Sequence, residues 1–183
     1  IENKLEPTLI IIQEINKKLM ASLGLKNPSA LPRLTKVVIN YRVSDSRDNR
    51  EQLETAEKEI AAITGQKPKL IKSKKSIAAF KLRQGEIMAY KVTLRGQRMY
   101  DFIQKLFNLV LPRLRDFKGM PLHAFDKAGN YNLTIHDQTY FSEVNLDTVN
   151  KIRSVQVTIG ISASSIEAAK MLLSTLGFPF EKP

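Results

Sequence analysis

Residues 86–96 read EIMAYKVTLRG, and the alternation within them decides the fold. In an extended chain Met88, Tyr90, Val92 and Leu94 fall on one side and Lys91, Thr93 and Arg95 on the other. Such a strand needs covering on its apolar side alone. The division recurs from Thr35 to Val43, where Val37, Ile39 and Tyr41 oppose Lys36, Val38, Asn40 and Arg42. It recurs again from Ile152 to Ile161, where Val155, Val157 and Ile159 oppose Ser154, Gln156 and Thr158.

Around these strands the remaining elements follow in order. A helical stripe of Leu5, Leu9, Ile12, Ile15 or Asn16, and Leu19 predicts a helix over 3–23, stopped at Gly24. Residues 44–49, SDSRDN, read as a loop ending in a helix cap. The helix that follows runs to Thr64, with Leu53, Ala56, Ile60 and Ile63 inward and Glu51, Glu54 and Glu57 outward. Gly65 closes it. A strand over 67–73 precedes the quoted one, and a connection over 74–85, KKSIAAFKLRQG, joins the two. A connection of this length in a compact domain is usually functional or mobile.

After Gly96, Met99, Phe102, Ile103, Leu106, Phe107 and Val110 recur at helical steps until Pro112. A loop-rich segment from Arg113 leads to a strand over 131–136, then to the strand over 152–161 and a helix over 165–176. The order is helix, strand, helix, two strands, helix, two strands, helix. It implies an α+β fold: a mainly antiparallel sheet with helices packed on one face and an open, polar, basic face opposite. The 183 residues are expected to form a single domain, of which 43% are apolar.

Charge is concentrated where the sheet is open. Residues 66–98 hold ten cations against the single acid Glu86, a local +9 of a formal +11 for the whole chain. Charge gathered in this way repels itself unless a polyanion neutralises it. Recognition-helix and zinc-finger patterns are missing, and Phe80 and Tyr90 are too few for a base-stacking surface. Recognition of folded RNA through phosphates and ribose hydroxyls fits best.

Catalytic and metal chemistry find no support. There is no cysteine, and the histidines are only His123 and His136. No Gly-rich phosphate loop follows a strand, and Asp45 and Asp48 lack calcium-loop spacing. His136 with Asp137, or His123 with Asp126, lacks a nucleophile at a recognisable spacing. No cofactor is expected. The opening IENKLEPTLIIIQEINKKLM carries three acids around one short apolar run, so neither a signal peptide nor a membrane span is expected there.

GQKP at 65–68, KKSIA at 74–78, FKLRQG at 80–85, KVTLRG at 91–96, RMYDF at 98–102, LPRLRDFKG at 111–119, GNY at 129–131 and GFPF at 177–180 stand in this order. In sequence and spacing they resemble the universal large-subunit ribosomal protein number five family of bacterial type, over nearly the whole chain. The resemblance implies a non-enzymatic constituent of the large ribosomal subunit. It would anchor 5S rRNA in the central protuberance, beside large-subunit rRNA and neighbouring large-subunit proteins.

On that resemblance Asn40, Gln66 and Thr93 would recognise 5S rRNA, with Arg42, Lys67, Lys69, Lys91 and Arg95 around them. The connection, through Lys72, Lys74, Lys75, Ser76, Lys81 and Arg83, would reach peptidyl-site tRNA. Arg113, Arg115 and Lys118 are candidates for rRNA or for a small-subunit head protein across an intersubunit bridge. The implied location is the ribosome, in a bacterial cytoplasm or an organelle with bacterial-type ribosomes. The alternative is a free-standing RNA-binding or RNA-chaperone protein. The chain also departs from the family's pattern. Asn40-Tyr41-Arg42-Val43-Ser44 stands where Asn-Met-Gly-Val-Gly is usual, Ala79 replaces a common glycine, and 126–129 reads Asp-Lys-Ala-Gly for Asp-Gly-Arg-Gly.

Overall fold

The structure is a computed structural model that describes residues 15–24, 27–43, 49–80, 82–115, 117–145, 149 and 151–181. Helix α1 covers 15–23 with Leu19 fully buried. The expected positions Leu5, Leu9 and Ile12 lie outside the described residues, as do the loop positions 44–48 and Lys81. The other elements are β1 (Arg33–Arg42), α2 (Arg50–Thr64), β2 (Lys69–Lys72), β3 (Ile87–Leu94), α3 (Gly96–Lys105), β4 (Tyr131–Ile135), β5 (Val155–Ser162) and α4 (Ile166–Thr175). This is the α+β order expected from the sequence. The strands form one five-stranded antiparallel sheet in the order β2-β3-β1-β5-β4.

The chain divides into two compact units. Unit 1 draws on Ile1–Val37, Arg95–Asn132 and Thr158–Pro183, and unit 2 on Val38–Leu94 and Leu133–Val157.

In unit 2, α2 lies on the apolar side of the strands. Asn49 caps it, accepting from Glu51 N at 3.0 Å and Gln52 N at 3.2 Å. Leu53, Ala56, Ile60 and Ile63 are buried, as their spacing requires, together with Ile39, Tyr41, Tyr90, Val92 and Leu94. Tyr90 donates its hydroxyl to Leu53 O at 3.2 Å, fixing helix to sheet. A charged group shares this core. Tyr41 donates to the buried Glu59 carboxylate, whose Oε2 also lies 3.4 Å from Arg153 Nη1.

In unit 1, Met99, Phe102, Ile103, Leu106, Phe107 and Val110 are all buried. The helix loosens to a π turn over Leu106–Val110 and tightens to a 3-10 turn over Leu111–Arg113, the turn that contains Pro112. Five rings form a second core: Phe178 lies 4.8 Å from Phe107, from Tyr131 and from Phe180, while Phe125 lies 4.9 Å from Tyr131. The last described residues are tied down by backbone pairing, with Met120 N donating to Pro179 O at 2.8 Å and Glu181 N to Met120 O at 3.0 Å. Gly119 permits this approach. It has φ 119, and a Cβ there would stand 2.5 Å from the backbone of Glu181.

Candidate nucleic-acid interface

β3 supplies the centre of the site in unit 2. Tyr90, Val92 and Leu94 are buried, so Lys91 and Thr93 emerge on the opposite side, Lys91 exposed and Thr93 half-buried. β2 pairs antiparallel with β3 in a register that sets Lys69 directly across from Lys91. Cross-strand partners point to the same side of a sheet. Both ammonium groups therefore stand together on the polar side, and both residues are exposed. Like charges directly opposite one another destabilise a strand pair. Among the described residues no carboxylate lies within ion-pair reach of either lysine.

The short polar side chains converge around this pair. Gln66, held just past α2 by contacts with Thr64, directs Nε2 to Thr93 O at 3.5 Å. On β1, Asn40 is half-buried and its Nδ2 lies 3.5 Å from Gln156 Oε1 on β5. The alternation of β5 put Gln156 on the polar side, but its pairing with Asn40 depends on β1 and β5 being neighbours, which neither strand's pattern reveals. Arg42 and Lys67 are exposed. Arg95 belongs to unit 1, where its Nη1 lies 3.5 Å from Thr35 O.

The connection after β2 is built, not irregular. Ser73 N donates to Glu86 O at 2.8 Å and Gly85 N to Ser73 O at 2.9 Å. Farther out Ile77 and Leu82 exchange both backbone bonds, at 2.8 Å and 3.1 Å, the closely paired arrangement of an antiparallel ladder. A 3-10 turn over Ala78–Phe80 makes the tip. The result is an arm that prolongs β2 and β3, with Lys72, Lys74, Lys75 and Arg83 exposed. Ser76 is exposed too, but its Oγ accepts from Gln84 N at 3.0 Å and so braces the arm. Lys81 lies outside the described residues.

Arg113, Arg115 and Lys118 are exposed in unit 1, along the segment after α3. The acids near the two histidines are engaged in turns. Asp126 accepts from Ala128 N at 2.9 Å and Asn130 Nδ2 at 2.8 Å, and Asp137 accepts from Thr139 N at 2.8 Å. The Asn130 side chain is the main cause that holds the Asp126 carboxyl below the usual aspartate range. Among the described residues no group of three metal-ligating side chains occurs, and no helix is long and apolar enough to cross a membrane.

Comparison with known proteins follows the same outline. Residues 27–83 match the ribosomal protein L5 family, and residues 87–180 match the ribosomal L5P family C-terminus. The large ribosomal subunit protein uL5 of Moorella thermoacetica is 46% identical over 171 residues, covering 93% of this chain and 95% of that protein. The same protein of Dictyoglomus thermophilum is 46% identical, covering 93% and 96%. That of Anaeromyxobacter sp. is 44% identical over 170 residues, covering 93% and 94%. With both parts of the family matched in order and whole-length relatives at this identity, the chain belongs to the ribosomal protein L5 family, a family of structural and not catalytic proteins.

Proposed function

We propose that the chain is a structural constituent of the large ribosomal subunit of bacterial type, working in the cytoplasm of a bacterium, and that the polar side of unit 2 binds 5S rRNA there. The observation that carries this reading is the opposed pair Lys69 and Lys91, uncompensated by any described carboxylate and flanked by Thr93, Asn40 and Gln66. A pair that costs stability in the free protein becomes favourable once a phosphate lies between its members. Thr93 and the two amides are short and offer both donors and acceptors, which suits ribose hydroxyls and phosphates more than base edges. The arm, with cations along its length, reaches toward peptidyl-site tRNA. Arg113, Arg115 and Lys118 contact rRNA or a small-subunit head protein.

Binding of the full chain to 5S RNA across a salt series tests the reading. If about five phosphates are neutralised, log affinity falls against log salt with a slope of roughly −3 to −5. Thr93→Val removes a hydroxyl at nearly constant volume. It is expected to weaken binding by about three- to tenfold, the worth of one hydrogen bond. Unchanged affinity in that variant would remove unit 2's polar side from the interface.

A further inference from the structure

Alternation fixes which side of a strand is buried but leaves its register open by steps of two. In unit 2 the buried residues of β5 are Val155 and Val157, and those of β1 are Ile39 and Tyr41. A slip of one residue would turn such a set outward, whereas a slip of two would bury an equivalent one. The longer slip would also carry Gln156 about 7 Å along β1. That is out of reach of Asn40, whose Nδ2 now lies 3.5 Å from Gln156 Oε1. The amide pair on the polar side therefore depends on an alignment that apolar residues alone do not specify.

The buried side of the same strands carries a mark that does specify it. Tyr41, between Asn40 and Arg42, is fully buried and donates its hydroxyl to Glu59 Oε2 of α2. The same oxygen lies 3.4 Å from Nη1 of the buried Arg153, just ahead of β5. The backbone around Arg153 is held too. Gln138, fully buried, accepts from Arg153 N and donates Nε2 to Lys151 O at 2.7 Å. All of these residues belong to unit 2. A two-residue slip would draw the arginine away from its carboxylate inside the core.

As a source of stability the group is a poor choice. Desolvating a buried ion pair costs about as much as the pairing returns, and apolar side chains of similar volume often do as well. Glu59 Oε1 adds to that cost, being buried with no hydrogen-bond partner among the described residues. What the pair supplies, and apolar residues do not, is a single permitted alignment. A lone buried asparagine sets the register of a coiled coil in the same way.

We propose that Tyr41, Glu59 and Arg153 are positioning residues, a buried register lock that seats β1 against β5 and so holds Asn40 beside Gln156 for RNA. The proposal rests on the RNA-binding reading of unit 2 and deepens it, since the lock touches no RNA and acts through Asn40.

The test is a double-mutant cycle on the affinity of the full chain for labelled 5S RNA, read by fluorescence anisotropy. The triple replacement Tyr41→Phe, Glu59→Leu and Arg153→Met makes the lock apolar, and its urea midpoint is expected near that of wild type. Its affinity is nonetheless expected to fall about three- to tenfold, as in Asn40→Ala, the worth of one hydrogen bond. Adding Asn40→Ala to the triple variant should then cost less than about twofold more, because the two changes act on one contact. Thr93→Val, on β3, should keep its full effect in both backgrounds. A stable triple variant that binds like wild type, or that loses the full factor on Asn40→Ala, would overturn the lock. So would disappearance of the Thr93 effect, which would mean that the whole polar side had loosened. If the triple variant does not melt cooperatively, Tyr41→Phe, which removes one hydroxyl, replaces it in the cycle. A smaller Asn40→Ala effect in that background supports the lock, and an unchanged one overturns it. Asn40→Ala without effect in wild type, with Thr93→Val impaired, would overturn the lock and leave the RNA-binding reading standing. No wild-type binding at all would overturn the RNA-binding reading itself.

Discussion

The phenol of Tyr41 is wholly enclosed. Burial, and after it the neighbouring Glu59 carboxylate, hold that phenol protonated far above ordinary pH. It therefore serves as a permanent donor to Glu59, which Arg153 neutralises from 3.4 Å. Replacing one member of a buried pair strands the other's charge, at about 3–5 kcal/mol. Glu59→Gln should lower stability by that order in denaturant melts. Glu59→Leu and Arg153→Met combined with Tyr41→Phe should recover most of the loss, because matched apolar side chains abolish both desolvation penalties and leave no hydroxyl without its acceptor. The sequence held a sign of this group. Glu51, Glu54 and Glu57 fall outside the apolar stripe of α2, whereas Glu59 falls on it, between Ala56 and Ile63. What the stripe could not reveal is the partner, since Arg153 lies far along the chain, just ahead of β5.

At the scale of elements, the parts that could be read beforehand are those whose signal is local. β1, β3, α2 and the buried stripe of α3 follow from periods of two and of 3.6, and the structure buries their inward residues apart from Met88 at the start of β3, which is half-buried. The arm over 73–86 could not be read as paired, because Ile77 and Leu82 carry no alternation to announce their ladder. The π turn at 106–110 was likewise hidden, as it keeps the same apolar residues inside. Two short segments carry predictions of their own. Gly119→Ala would drive a Cβ into the backbone of Glu181, 2.5 Å away. A loss of more than about 1 kcal/mol is expected, with new protease sensitivity after Gly177 as the readout. The Asp126 turn answers to acid. Its carboxyl is held below the ordinary value, first by Asn130, so its contribution is complete above about pH 4 and fades as pH falls through the lower folded value. Melts taken from pH 5 to pH 2 should show a flatter profile for Asp126→Asn than for wild type.

For the molecule as a whole, most of the formal +11 sits within 66–98, divided between the polar side of the sheet and the arm. If these serve different RNAs, their salt responses separate. Lys74→Ala, Lys75→Ala and Lys81→Ala together should leave 5S affinity within about twofold of wild type, while binding of tRNA loses roughly tenfold or more as phosphate contacts disappear. A large loss of 5S affinity in the triple variant would contradict that separation. The same view sets the limits of sequence reading. Charge and alternation mark out the polar side of the sheet, but the opposition of Lys69 and Lys91 depends on a register that only pairing defines.

The aromatic cluster of unit 1 has a consequence for how the protein comes into being. Phe107, Phe125 and Tyr131 leave the translating ribosome well before Phe178 and Phe180, the rings that close over them. Through that interval their apolar faces have no lid, and the final strand of backbone that secures Met120 has yet to be made. Maturation of this half therefore waits for residues 178–180 to emerge, and a pause in translation before them would prolong the span in which a nascent chain attracts chaperones or aggregates.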